Sequence, residues 1–364
     1  MIVVTSPLKQ SLSDIFKNQK ILITGHTGFK GSWLALWLCE LGATVTGFSL
    51  APEYPNSHFE LLKLKKHINH FEGDLRDSEA LSQCIKETNP EYIFHLAAQA
   101  IVRRSYEDPK ATFEINISGG INLLEAVKKT SSTKALVYTT SDKVYHNQEW
   151  PWGYRENDQL GGHDPYSASK AAAEIVVSSY LNSFFMDRNN FGGATTRAGN
   201  VIGGGDWAND RIIPDCIRAL KANTSIEIRN PTATRPWQHV LDPLHGYLRL
   251  AAALAKDPKK FGGSWNFGPE AGSNYTVHEV AERVIKHWGS GQIETSRNSG
   301  PFEHKLLQLS IEKATHELGW KPRWHPERSI KETVHWYRSL YEGANAENIS
   351  RAQIHAFEVT KNAG

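Results

Sequence analysis

The stretch KILITGHTGFKGSWLALWLCELGATVTGFSL (20–50) decides the fold. It opens on a β-branched run at 21–24. Three glycines, Gly25, Gly28 and Gly31, come next, and then an apolar segment with helical spacing that ends near Gly42. The order is strand, glycine turn, helix, strand. Glycines three residues apart at a strand-to-helix junction have a physical use. The missing side chains permit a tight turn and let a pyrophosphate approach the backbone, with its charge at the amino end of a helix. The turn therefore predicts a dinucleotide site; glycines that serve only turns with positive φ are the plainer reading of the same trio.

Working outward, EYIFHLAAQ (91–99), ALVYTTSDKVY (135–145) and GATTRAGNVIG (193–203) each read as a short apolar strand, separated from the last by a helix-like segment. Strands alternating with helices predict an α/β fold with a doubly wound parallel sheet. Past residue 200 the alternation weakens into the turn-rich stretches GGGDWANDR, RNPTATRPW and FGPEAGSNYT. We expect a dinucleotide-binding domain over 1–198 and a smaller, interleaved domain over 199–364. The helix-periodic segment around 238–260 is expected to rejoin the first.

Composition narrows the function. Lys plus Arg number 41 against 39 Asp plus Glu, a formal charge of +2 with no basic block, which argues against nucleic acid as a partner. Cys39, Cys84 and Cys216 form no CxxC pair, a usage that suits a reducing cytoplasm. The histidines show neither HxxxH nor HExxH spacing, so no metal is expected. The amino terminus lacks a basic start with an apolar stretch behind it, and no run approaches ~18 apolar residues, so no membrane partner is expected.

Two strings carry chemistry. In HDPYSASKAAAE (163–174), Lys170 follows Tyr166 by four residues, which places phenol and ammonium on one helix face. A phenol with a pKa near 10 is a poor base at neutral pH, and making it one takes about 4 kcal/mol of preferential stabilisation of the phenolate. A nearby ammonium and a positive nicotinamide ring supply that kind of stabilisation. The identity of the nicotinamide nucleotide is less legible. Where an acid about 20 residues past the turn would hold the ribose of NAD, the second strand ends in Ser49, Leu50 and Ala51, with Glu53 shortly after. Lys30, inside the turn, suits the extra phosphate of NADP. Asp74, in GDLRD, is placed either to accept from an adenine amino group or to be a solvated loop aspartate.

In this order, the glycine turn, HLAAQ (95–99), the strand ending TTSDKVY (139–145), YSASK (166–170) and LGWKP (318–322) resemble the extended short-chain dehydrogenase/reductase family, over most of the chain. The resemblance implies a Rossmann-type lobe that binds NAD and a smaller lobe that holds a nucleotide-linked sugar. It implies that Thr27, Phe29, Leu75 and Leu96 border the cofactor beside Gly25, Gly28, Gly31 and Asp74, that Ala97, Ala98 and Gln99 line it, and that Tyr166 and Lys170 serve both cofactor and hydride transfer.

Within the family, an acid followed by a base at Asp142 and Lys143 marks the nucleotide-sugar 4,6-dehydratases, which are lyases. GHTGFKGSWLALWL, NQEWPWGYREND and GGHDPYSASK are similar to the branch that takes CDP-glucose. The implied chemistry oxidises carbon four of the sugar, with Tyr166 as base and Ser141 hydrogen-bonded to the hydroxyl. Water is then lost across carbons five and six, with Lys143 as base and Asp142 as acid; the reverse assignment of this pair stays open. Hydride returns to carbon six, so NAD stays tightly bound and is recycled in each turnover. Arg211 and Arg235 are candidates for the diphosphate, Asn200 for the sugar or phosphate or simply for closing a turn, and Arg103 and Arg104 for further pocket contacts. The segment EWPWGY (149–154) either covers the site or packs. The segments 112–129 and 166–184 are apolar on more than one face, as in family members that pair as a homodimer or tetramer, or as in a helix buried on both sides. The resemblance also suggests deoxysugar biosynthesis for a bacterial surface polysaccharide such as lipopolysaccharide O-antigen. Competing readings are another nucleotide-sugar dehydratase or 4-epimerase, and a non-catalytic NAD-binding sensor.

Overall fold

Alternate residues of the first strand divide between two cores, Ile21 and Ile23 on one side and Leu22 on the other, so the strand reads as one apolar run. In the computed structural model, which describes residues 10–295 and 306–360, this strand β1 (Lys20–Thr24) belongs to a seven-stranded sheet. The others are β2 (Thr44–Ser49), β3 (Asn69–Glu72), β4 (Tyr92–His95), β5 (Ala135–Thr139), β6 (Gly192–Arg197) and β7 (Gly263–Asn266). Their spatial order is β7-β6-β5-β4-β1-β2-β3, and every pairing is parallel. The strand order reverses between β1 and β4. A crevice beyond the carboxyl ends of the strands at such a reversal is where α/β sheets bind ligands.

Helices cover both faces. On one lies α1 (Phe29–Glu40), in which residues 31–38 are all buried. On the other lie α2 (Ser78–Thr88), α3 (Gly119–Lys128) and α4 (Pro165–Tyr180). The carboxylate of Asp164 caps α4 by accepting from Ser167 N at 2.9 Å, and Pro165 occupies the first helical position. That cap fixes where the helix starts and hence which face carries Tyr166 and Lys170.

Beyond β6 the chain leaves the sheet through α5 (Ile212–Lys221) and the short strands Ile226–Ile228 and Thr234–Arg235. It returns as α6 (Leu241–Lys256), which packs against β5 and β6, and as β7, where Trp265 lies in register with Thr196. The outer lobe is completed by α7 (Val277–Trp288), which packs against α5, and by the strand Ile293–Thr295, paired with Ile226–Ile228. Finally α8 (Pro326–Tyr341) and α9 (Ala346–Val359) come back towards the sheet lobe, where Trp37 Nε1 donates to Glu358 at 2.8 Å and His58 bonds Ser350 at 3.0 Å. Coverage from both sides explains why α1 is apolar all round. No helix of the described residues is long and apolar enough to cross a membrane.

Candidate active site

A cavity of about 900 Å³ opens along the carboxyl ends of β1, β2, β4, β5 and β6 and extends under the outer lobe. At its sheet end is the glycine turn. Gly25 adopts φ +80°, and a Cβ there would come within 2.6 Å of Ala97 N; a Cβ on Gly31 would lie 2.1 Å from Gly25 O. Side chains are thus excluded at both positions. Gly28 caps α1 without a side-chain hydrogen bond, so the amides of Phe29, Lys30 and Gly31 have no partner among the described residues and stand at the positive end of the helix. The cradle fits a dinucleotide pyrophosphate.

Around the turn, Thr27 bonds Ser49 Oγ at 2.8 Å and Leu50 O at 2.9 Å, closing the end of β2. Leu75, Leu96, Ala97, Ala98 and Gln99 line the cavity beside Asp74. A hydrogen bond from Arg76 holds the Asp74 carboxyl below its ordinary range. Lys30 corrects one expectation. The charges that act on it are those of Arg211, Asp142 and Asp206, so its ammonium lies on the side of the cavity that holds Asp142. Burial, followed by the Arg211 charge, pushes its pKa down to about 8.

Ser141, Asp142 and Lys143 follow β5 at the floor. Asp142 is 4% exposed and accepts from Ser141 Oγ at 3.0 Å, while Ser141 Oγ itself accepts from Lys143 N at 3.2 Å. Asp142 lies against Gly199 so closely that a Cβ there would fall 1.8 Å from Oδ2. The Lys143 side chain lines the cavity and makes no hydrogen bond or ion pair with a described residue. Tyr166 and Lys170 face the same space from α4, both buried. Burial pushes the Tyr166 phenol up to about 12, with the Ser141 hydroxyl pulling the other way. Burial, and then the charge of Lys30, pushes Lys170 down to about 7. Lys170 Nζ donates to Thr139 O at 3.4 Å.

The outer lobe brings Asn200, Arg211 and Arg235 to the cavity. Asn200 does so from a left-handed turn with φ +50°, so closing a turn and lining the pocket are not exclusive. Arg211 is paired with Asp206 at 2.8 Å and lies in the field of Tyr166. Arg103 and Arg104 line the mouth, ion-paired with Asp210 at 3.0 Å and with Glu53 at 3.6 Å. The aromatic segment 149–154 does not line the cavity. Trp150 and Tyr145 stack on Tyr154, in a separate cluster with Leu307 and Leu309.

Two supporting groups escaped the sequence reading. Asn116 clamps the HLAAQ loop by accepting from Gln99 N at 2.9 Å and donating to Gln99 O at 3.1 Å, and it reaches Ser169 Oγ on α4 at 2.8 Å. Glu174 and Arg197 form a bidentate ion pair at 2.8 and 2.9 Å, each about 2% exposed. Burial pushes the Glu174 carboxyl up, but Arg197 outweighs it and holds the group below its ordinary range. Thr140 and Thr195 also donate to Glu174, so the ends of β5 and β6 are tied to the helix that carries Tyr166 and Lys170. Glu174 stands one turn past Lys170, the one sequence signal for it.

Comparison with known proteins adds relatives to this geometry. The family model described as GDP-mannose 4,6 dehydratase matches residues 22–333. The chain is 45% identical over 347 residues to a CDP-glucose 4,6-dehydratase of Salmonella typhimurium, covering 94% of this chain and 96% of that protein. Among solved structures, a UDP-glucose 4-epimerase of Thermus thermophilus in complex with NAD superposes with a TM-score of 0.73 at 28% identity, covering 87% of this chain and 98% of that one. A dTDP-glucose 4,6-dehydratase of Bacillus anthracis in complex with NAD gives a TM-score of 0.74 at 24% identity, over 88% and 97%.

Proposed function

Since the chain belongs to the GDP-mannose 4,6-dehydratase family, within the extended short-chain dehydrogenases/reductases, we propose that it is an NAD-dependent lyase that converts CDP-D-glucose to CDP-4-dehydro-6-deoxy-D-glucose and water. One observation carries this reading: adjacent acidic and basic side chains, Asp142 and Lys143, share one cavity with Ser141, Tyr166 and Lys170. An acid and a base beside an oxidation site are what an elimination of water requires, and an enzyme that only oxidises and re-reduces carbon four has no use for them.

When bound, NAD would supply a positive ring and the hydride acceptor and donor that oxidation at carbon four and reduction at carbon six require. The protein alone drives the Tyr166 proton on, not off, so the phenolate needs positive charge beside it, that of Arg211 included. Tyr166 then takes the proton of the carbon-four hydroxyl, which Ser141 orients. The resulting carbonyl acidifies the hydrogen on carbon five. Lys143, with no hydrogen-bond or ion-pair partner among the described residues, removes that proton. Asp142, held by Ser141 Oγ and the wall at Gly199, delivers a proton to the departing carbon-six hydroxyl, which leaves as water. Lys143 returns its proton to carbon five as carbon six regains its hydride, and the proton held by Tyr166 replaces the one Asp142 gave up, so one water is lost and no net oxidation occurs.

The glycine turn, Asp74 and the 96–99 loop hold the cofactor in this reading, and Asn200, Arg211 and Arg235 hold the sugar diphosphate in the outer lobe. Ile175 and Phe184, 61% and 52% exposed along α4 and its continuation, support pairing of two copies as a homodimer. The test replaces Lys143 by Met and follows deuterium entry at carbon five of CDP-glucose in heavy water. Exchange should vanish while oxidation at carbon four persists; exchange at the wild-type rate removes Lys143 from the base role.

A further inference from the structure

At the mouth of the cavity, two arginines converge on one carboxylate. Arg103 Nη1, from the short helix Val102–Glu107, and Arg229 Nη1, just past the strand Ile226–Ile228, both approach Asp210 Oδ1 at 3.0 Å. Asp210 Oδ2 accepts no hydrogen bond among the described residues. All three side chains line the cavity and are about a third exposed, whereas Ser141, Asp142, Tyr166 and Lys170 are buried. The cluster therefore belongs to the solvent-open part of the cavity wall. Asp210 is held there in the left-handed region, with φ +62°.

Shared use of Oδ1 leaves an acceptor, Oδ2, beside the remaining N–H donors of Arg229. A phosphate is a poor occupant for that spot, because the free carboxylate oxygen repels it. What fits is a ligand edge with an N–H donor next to an acceptor. Cytosine presents that order, its exocyclic amine followed by N3. Uracil and thymine present the reverse, O4 followed by N3–H, which sets oxygen against carboxylate and N–H against guanidinium. Adenine shares the order of cytosine on a larger ring, so the pair reads the edge and not the size.

We infer that Asp210 and Arg229, braced by Arg103, read the nucleotide base and select cytosine over uracil and thymine, an inference that rests on the substrate being a cytidine diphosphate sugar. The test is calorimetric titration of NAD-saturated protein with CDP, UDP and pyrophosphate, for the wild type, Asp210→Asn and Arg229→Gln. Asparagine tolerates φ +62° and can turn its amide to donate to O4. Asp210→Asn should lower the ratio of CDP to UDP affinity at least about tenfold, the factor a hydrogen bond to a charged group supplies, and leave pyrophosphate binding unchanged. Arg229→Gln should lower the same ratio. A wild type without preference for CDP overturns both the substrate reading and the reader. A preference that survives both substitutions overturns the reader alone, as does an equal gain for CDP, UDP and pyrophosphate in Asp210→Asn, which would make Asp210 a competitor of phosphate. Thermal unfolding of each variant shows that the fold is retained.

Discussion

Gly199 offers a way to move Asp142, the proposed acid, without removing it. A Cβ at this position would stand 1.8 Å from Asp142 Oδ2 and 2.2 Å from its Cγ. In Gly199→Ala the carboxyl must retreat by about 1.5 Å to reach ordinary contact, a displacement of the size that costs about a hundredfold in rate when it misplaces a reacting group. The overpacking itself costs about 1–3 kcal/mol of stability. Ser141 keeps its bond from Lys143 N, and Tyr166 and Lys170 approach from another helix, so the oxidising half of the site stays in place. Single-turnover mixing of NAD-loaded variant with CDP-glucose should therefore show reduced nicotinamide absorbance rising at close to the wild-type rate, while release of the 4-keto-6-deoxy product falls about a hundredfold. The absorbance should also persist, because hydride cannot return until water has left. Equal slowing of both signals would mean that the displacement reaches Ser141 and that the two half-reactions are not separable here. Normal product release would remove Asp142 from the elimination altogether.

Stability should carry the mark of the buried lysines. Lys170 titrates near 7 in the folded chain against 10.5 in the unfolded one, and Lys30 near 8. The unfolded chain therefore binds more protons between those limits, and stability of the ligand-free protein should rise with pH from about 7 to about 9, above which the buried thiols of Cys39 and Cys84, and past about 10 buried tyrosines such as Tyr166, act in the opposite direction. Urea midpoints across that range should climb less steeply in Lys170→Met; an unchanged slope contradicts the assignment. Arg197→Met leaves Glu174 buried without its cation, and should cost about 3–5 kcal/mol, near the lower figure because Thr140 and Thr195 still donate to the carboxylate. Replacing both partners by apolar residues should recover part of that loss, and a single-variant cost below about 1 kcal/mol would show the pair to be dispensable.

What could be read from the sequence was local. Strand, glycine turn and helix occupy one continuous stretch, and the acid, base and serine after β5 are adjacent residues, so no knowledge of the fold was needed to group them. Tyr166 and Lys170 share a face because of helix geometry alone. The return strand β7 was not legible for the opposite reason. GSWN is four residues long and shows no alternation. It becomes a strand because α6 brings it beside β6, and because the backbone there needs partners.

The groups that escaped the reading have their partners far off in sequence. Glu174 and Arg197 are 23 residues apart, Asn116 and Ser169 are 53 apart, and Asp142 owes its seat to the missing side chain of Gly199. A lysine in a glycine turn gives no hint that it faces Asp142 across the cavity, since its direction is set by the packing of α1 between the sheet and the returning α9. The chemistry of such a site is written in neighbours along the chain, but its rigidity comes from contacts that exist only once the chain has come back. The Glu174–Arg197 pair links the floor that carries Ser141, Asp142 and Lys143 to the helix that carries Tyr166 and Lys170, so that in the proposed reaction the two sets of groups hold one geometry through both halves. A substrate that is oxidised, stripped of water and reduced without leaving the cavity needs that constancy, because any drift between the two sets of groups would strand the intermediate ketone.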